Sequence, residues 1–341
     1  MEKATVIPRV QESIAQKSHN LEEWLETSPV DEKETCLSCA SEQEVHIHLD
    51  VLGAVMQKTE SEGFGVCEIC QGNVDLNLLE LDYTASICLG CLSDQERHEL
   101  ETELELSQTV QRALMPQADP AIPGMDAAAF SRPAQIVSGD YFDFIPLADG
   151  SFGITIADAM GHGIAASMFM ASLQATLHML LPESQSPADV LGRINHFYLH
   201  NVNYTTFVTI FLGIFNPRTR MLTYFNAGHH PAALVRQGSK QVTWLGPNGA
   251  AIGIIEDYRI APAQVQLQPG DTLLLYTDGI PEAIDTQRKE FGSERLGQLM
   301  VQYADLPAGE IITSLRQDLA RFTIDRPLTD DIALVACKVT A

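Results

Sequence analysis

Three short segments, far apart in the chain, set a carboxylate near a glycine at the end of an apolar run. They read Ser138-Gly139-Asp140-Tyr141-Phe142-Asp143, Ala157-Asp158-Ala159-Met160-Gly161-His162-Gly163 and Tyr276-Thr277-Asp278-Gly279. A fourth, Thr329-Asp330-Asp331, precedes the apolar run Ile332-Ala333-Leu334-Val335. One Asp-Gly pair by itself is most often a turn. Carboxylates gathered at strand ends are different: a hard divalent cation needs several oxygen ligands, and glycine lets backbone approach closely. If the four apolar runs are strands that meet in one sheet region, their aspartates cage metal. The chemistry this predicts is metal-dependent hydrolysis.

A second constellation lies upstream. Cys67-x2-Cys70 and Cys88-x2-Cys91 are separated by seventeen residues, a spacing that can set four thiolates tetrahedrally around one zinc ion. The alternative is a pair of disulfides, but nothing in the chain indicates an oxidising compartment. A closed four-cysteine site has no open position for substrate, so one structural Zn2+ that folds the unit is expected. Cys36-x2-Cys39, followed by His46 and His48, leaves three readings open: a second metal site, a redox pair or two free thiols.

These groups need elements to hold them. The chain has 341 residues, 45% of them hydrophobic, enough for two domains with a sizeable core. No run approaches the ~20 apolar residues of a membrane span, and Met1-Glu2-Lys3-Ala4 opens without the apolar stretch of a secretory leader. A cytoplasmic protein with no membrane contact is expected. The net charge of -24 argues against nucleic-acid binding, which requires a basic face. Residues 1–100 hold twenty acidic and six basic residues, and six of the seven cysteines precede residue 92. Two regions of different composition are therefore predicted.

The boundaries read as a polar helical region over 1–62, a cysteine unit over 63–92, a linker helix over 93–116 and a large domain over 120–341. Leu21 to Leu25 and Ile47 to Gln57 have helical spacing. Ser93-Asp94-Gln95-Glu96 is a capping box that should start a helix ended by Pro116. On that helix Leu100, Leu104 and Leu114 form one apolar seam, and Leu106, Val110 and Ala113 a second. It either packs on its own domain or pairs two protomers as a short coiled coil. Farther on, strands are expected at Gly153–Ala157, Phe207–Phe215, Met221–Phe225, Asp271–Tyr276 and Ile332–Val339. Helices are expected at Gly163–Leu181, buried through Ile164, Met168, Met170, Leu173, Leu177 and Leu180, and at Ala308–Arg321. Strands in adjacent pairs with helices between them predict an α+β fold with antiparallel sheets rather than a βαβ repeat.

The order and spacing of these motifs, with Asn226-Ala227-Gly228-His229-His230-Pro231 and Gly270-Asp271 between them, resemble the PPM-type metal-dependent serine/threonine phosphatases of the SpoIIE-like and RsbU-like bacterial branch. The resemblance covers residues 120–340. It implies a central antiparallel β-sandwich flanked by helices, with two Mn2+ or Mg2+ ions at one end. Carried over by motif, Asp158 bridges both ions and the carbonyl of Ala159 completes one site. Asp278 and Asp330 hold the second ion, and Asp140 acts directly or through water. Asp158, Asp278 and Asp330 are thus the catalytic residues, with no covalent phospho-enzyme. Position 159 is alanine where many eukaryotic relatives have glycine, which leaves the carbonyl in place. No arginine matches the one that grips phosphate in those relatives; Arg132 is near, at a different offset. His162 reads as structural at a helix start rather than as a proton donor, and His229 and His230 as structural on a loop. Asp143 is either a strand-end residue or a ligand, and Asp331 supports ligands rather than being one. Residues 63–91 separately resemble a DksA/TraR-type zinc finger, which implies the fold of the finger alone.

The resemblance implies a signalling phosphatase that acts on phosphoserine or phosphothreonine of a partner protein, by analogy a STAS-type anti-anti-sigma factor. A homodimer through the linker helix fits the seam. Two alternatives stand beside this: a PPM-like binding or sensing module without catalysis, and a transcription-associated factor acting through its finger.

Overall fold

The structure is a computed structural model. It describes residues 11, 14–15, 18, 49, 53–54, 56–57, 59, 64–74, 79, 86–134, 136–161, 163–184, 186–201, 207–324 and 330–340. The expectations for Leu21 to Leu25, for Cys36, Cys39, His46 and His48, and for His162 and Thr329 lie outside the described residues. The chain divides into two compact units, Met1–Glu103 and Leu104–Ala341.

In the first unit, the described residues of the segment predicted helical over 47–57 are helical. Phe64, Val74 and Leu79 gather with Ile14 around the buried Cys67. Helix α1, Asp94–Leu114, begins as its capping box requires. Glu96 accepts from the Ser93 backbone N–H at 2.9 Å, and the Glu96 N–H donates back to Ser93 Oγ at 3.3 Å.

Among the described residues, the second unit holds ten strands in two antiparallel sheets. One sheet has the order β1 (Met125–Arg132), β10 (Ile332–Val339), β9 (Thr272–Tyr276), β6 (Ala232–Val235), β7 (Val242–Leu245). The other runs β2 (Asp140–Pro146), β3 (Phe152–Ala159), β4 (Val208–Asn216), β5 (Met221–Ala227), β8 (Ala263–Gln266). Side chains alternate between strand faces, and here both faces are apolar. Phe142, Ile154, Ile156, Phe211, Leu273, Leu275, Ala333 and Val335 fill the space between the sheets. The alternate residues Tyr141, Ile145, Ile210 and Leu212 face α2 (Gly163–Leu180) and α3 (Pro187–Asn201). Leu274, Tyr276, Leu334 and Ala336 face α4 (Ser293–Tyr303) and α5 (Ala308–Thr323). The result is helices on both sides of a β-sandwich.

Helix α2 differs from its sequence reading. Its buried residues are Ala166, Met170, Leu173 and Leu177, whereas Met168 is exposed. Among the described residues it is the helix whose length and composition would suit a membrane span, and it packs on β2 and β3 as a core helix.

Candidate active site

The alternation that builds the sandwich also builds the site. Asp140 opens β2, and Asp158 lies directly opposite it near the end of β3. Both have the parity of Phe142 and Ile156, so they turn into the space between the sheets at one rim. From the facing sheet come Asp278, two residues after β9 ends, and Asp330 and Asp331, just before β10 begins. β9 and β10 are hydrogen-bonded neighbours, so residues more than fifty positions apart in sequence emerge side by side. The rim thus gathers Asp140, Asp158, Asp278 and Asp330, the four aspartates singled out by motif.

Three polar side chains fix this rim. Thr277, fully buried, donates to Asp140 Oδ2 at 2.7 Å and accepts from the Ala333 N–H at 2.8 Å, which ties β2 to the β9–β10 pair. Asp331 accepts from the backbone N–H groups of Ala134 and Gly139, each at 2.7 Å. It therefore shapes the loop that delivers Asp140. Gln111 of α1 clasps the same loop, accepting from the Ser138 N–H at 2.9 Å and donating to the Ser138 carbonyl at 2.6 Å.

Glycines make room for the approach. A Cβ on Gly279 would collide with the Asp331 carbonyl oxygen, and one on Gly139 would lie 3.0 Å from the carbonyl oxygen of Ala159. The backbone oxygen assigned to metal by motif thus passes close over Gly139.

Electrostatics make the cage unstable without a counter-charge. Burial, then the neighbouring Asp158 carboxylate, hold the Asp140 carboxyl well above its usual range, and Thr277 opposes this by donating to the ionised form. Asp158 is pushed up to about 8, first by burial and then by Asp278 and Asp330. The charges acting most strongly on both are other carboxylates. An all-oxygen, partly desolvated, mutually repelling set fits hard divalent cations, because bound cations reverse the repulsion.

Several residues take roles that the sequence left open. Asp143 is not at the cage: it lies within β2 on the opposite face, where it accepts from Tyr141 Oη at 2.6 Å and pairs with His178 Nε2 of α2 at 2.6 Å. Arg132 ends β1 opposite Ile332, on the strand face that turns toward α5, and it is exposed. His229 is buried, and both of its ring nitrogens are used. Nε2 can only donate to the Tyr276 carbonyl at 3.1 Å, so Nδ1 accepts from the Thr209 hydroxyl at 2.8 Å. Burial lowers its pKa to about 3, keeping the ring neutral. It bridges β4 and β9 across the sandwich. Thr277 and Glu282 were not picked out from sequence as site residues, and His230 was read only as a structural loop residue. A polar residue buried on the inter-sheet face, as Thr277 is, was the available signal.

The cysteine unit is equally well formed. Its four Sγ atoms lie within 4.8 Å of one another, and Cys70 Sγ is 3.7 Å from Cys88 Sγ. Four thiolates at about 2.3 Å from a tetrahedral zinc would stand about 3.8 Å apart. The Gly72 N–H points at Cys70 Sγ at 3.4 Å. Cys67 is lowered to about 6, chiefly by a backbone N–H at Cys70, while hydrogen bonding to the Cys70 and Cys88 thiols pushes Cys91 up to about 12. The four cysteines are close enough to hold one metal ion.

Comparison with known proteins agrees with this geometry. The family model described as Stage II sporulation protein E (SpoIIE) matches residues 148–340, more than half of the chain. The chain belongs to the SpoIIE family. This phosphatase is 27% identical over 266 residues to phosphoserine phosphatase RsbU of Bacillus subtilis, covering 76% of this chain and 78% of that one. It is also 27% identical to phosphoserine phosphatase RsbP of the same organism, over 63% of this chain and 53% of the relative. Among solved structures, the SiaA-PP2C domain of Pseudomonas aeruginosa superposes with a TM-score of 0.63 at 23% identity, covering 71% of this chain and 98% of that domain. The SpoIIE phosphatase structure from Bacillus subtilis gives 0.55 at 22%, over 63% and 64%. These two establish a PP2C-type fold.

Proposed function

We propose that this enzyme hydrolyses phosphoserine or phosphothreonine on a regulatory partner protein, using two Mn2+ or Mg2+ ions held at the sandwich rim. The observation that carries this reading is the juxtaposition of Asp140 and Asp158, across β2 and β3, with Asp278 and Asp330 from the facing sheet. Asp158, the Ala159 carbonyl, Asp278 and Asp330 would hold the ions, with Asp140 beside them. Thr277 orients Asp140, and Asp331 shapes the loop before it. What bound divalent ions supply is a water made acidic near neutral pH and positive charge for the transferring phosphoryl group. The likeness to RsbU and RsbP supports a phosphoserine substrate, and we extend it to a STAS-type anti-anti-sigma partner. The cysteine unit is read as a structural zinc finger. Its reduced thiolates suit a cytoplasmic enzyme, and the seam of α1 suits pairing of two protomers.

The test is hydrolysis of p-nitrophenyl phosphate and of a phosphoserine peptide by the full chain and by Asp158→Asn, with chelator, Mg2+ or Mn2+. Metal-dependent turnover that is lost in the variant supports the reading. Turnover that survives chelation or the substitution overturns it. A folded, metal-loaded protein silent on every phosphorylated substrate would favour the binding-module alternative.

A further inference from the structure

Helix α3 carries a pair of donors that the cage does not use. It ends His196-Phe197-Tyr198-Leu199-His200-Asn201, and residues at i and i+4 share one helix face. The buried residues of α3 are Val190, Leu191, Ile194, Asn195 and Tyr198, whereas both histidines are exposed. Their rings lie 4.0 Å apart between centroids, with 33° between the ring planes. The tautomer of one ring is fixed. His200 Nδ1 is 3.0 Å from the His196 carbonyl oxygen, which can only accept, so Nδ1 carries the proton and Nε2 keeps its lone pair. A ring nitrogen that donates to a backbone carbonyl, leaving the other as a lone-pair donor, is the arrangement of metal-bound histidines. His200 also lies in the last turn of α3, where unpaired carbonyls make the negative end of the helix and favour a cation.

We propose that His196 and His200 form a two-imidazole site for a borderline divalent ion such as Zn2+, Ni2+ or Cu2+, separate from the aspartate cage and from the cysteine unit. Two histidines four apart on one face is the spacing by which a helix chelates zinc. Imidazoles bound at about 2.0–2.1 Å, meeting at the ion between a right angle and the tetrahedral angle, have ring centres about 4.5–5 Å apart. The observed 4.0 Å therefore needs only a small opening of the two rings. Imidazole nitrogen suits these ions, whereas Mg2+ prefers oxygen donors and its own waters. Water completes the coordination at an exposed surface. The bound ion staples the end of α3, and that end supports the rim. Asn195, next to His196, accepts from the Gly253 N–H and donates to the Ile255 carbonyl, each at 2.8 Å. Ile252 of the same loop pairs with Val208, which opens β4 opposite Ala159. The site shares no residue with the cage, so it stands apart from the proposed function.

The experiment uses Ni2+ as probe on the full, untagged chain, with zinc in the finger and Mg2+ in excess to occupy the cage. Calorimetric titration compares wild type with His196→Ala and His200→Ala, and every other donor is common to all three. Both positions are exposed and alanine is the best helix former, so the variants should keep the fold. Wild type should bind one Ni2+ more than either variant, or bind it at least about tenfold more tightly, the loss seen even when a group that merely supports a ligand is removed. Ni2+ should raise the Tm of wild type by more than that of either variant, because only folded α3 holds the two rings together. It should also shield His196 and His200 of wild type from a histidine-acylating reagent, read by mass spectrometry. Equal Ni2+ binding by wild type and either variant, or acylation of the pair as fast with Ni2+ as without, overturns the proposal. Asp158→Asn separates this site from the cage: the extra ion and the shielding should persist in it, and their loss would assign the ion to the cage and overturn the proposal.

Discussion

Replacing Asp158 by asparagine should stabilise the metal-free protein, and increasingly so as pH rises. In the folded chain burial and neighbouring carboxylates move the Asp158 carboxyl from its ordinary 3.8 to about 8. The folded state therefore holds a proton that the unfolded state gives up above pH 4. Stability is intact below the unfolded pKa, falls as pH rises above about 4, and levels off once pH passes about 8. The full cost at high pH would be about 6 kcal/mol at 1.36 kcal/mol per tenfold. Of this, some 1.6 kcal/mol is already lost at pH 5 and about 4 remains to be lost between pH 5 and 8.5. Partial exposure and relaxation of the acidic neighbours reduce this, so about 2–4 kcal/mol is the working expectation. For a domain of this size that is on the order of 5–10 °C in Tm. The assay is thermal and urea denaturation of wild type and Asp158→Asn at pH 5 and 8.5, after exhaustive metal removal. Loss of the finger's metal is common to both proteins and cancels. The variant's advantage should widen at pH 8.5, and added Mn2+ should reverse the order, because only wild type gains ligand stabilisation. An identical gap at both pH values would refute the argument that the cage is a repelling, desolvated carboxylate cluster.

Gly279→Ala should disrupt the folded rim, because its Cβ would collide with the Asp331 carbonyl oxygen, which is backbone and cannot rotate away. Calorimetry should record a loss of several kcal/mol, in the upper range for single substitutions, and wild-type stability would disprove the close approach. Chelating the finger's metal should expose all four cysteines of the Cys67–Cys91 unit to a thiol reagent, since the metal's binding energy is folding energy in so small a unit. Thiols that react equally fast with and without chelator would show that no metal organises it.

The α+β class and the antiparallel pairing were legible because apolar runs of strand length alternate with Gly- and Pro-rich turns. The strand bounds at Ile332–Val339 agree to the residue, and the capping box of α1 is a local, reciprocal pair of hydrogen bonds. The cysteine cluster was legible for a similar reason: CxxC is closed by one turn, and the seventeen-residue separation leaves few other geometries. Helix α2 was misjudged at Met168 because a helix apolar all round does not reveal from periodicity which face meets the sheet.

The sequence by itself determined which carboxylates border strands, which cysteines can share an ion, and that the chain is strongly acidic, with a net charge of -24. Tertiary structure alone decided which of the remaining polar residues serve the cage. Thr277 reaches Asp140 across the sandwich, 137 residues away. Asp331 reaches Gly139 across 192, and His230 meets Asp278 and Glu282 from another strand's loop. Asp143, three residues from Asp140, was sent to the opposite face to hold α2. The physical reason is that strand alternation and sheet order determine facing and neighbourhood, and the contacts they create join residues that sequence spacing does not relate.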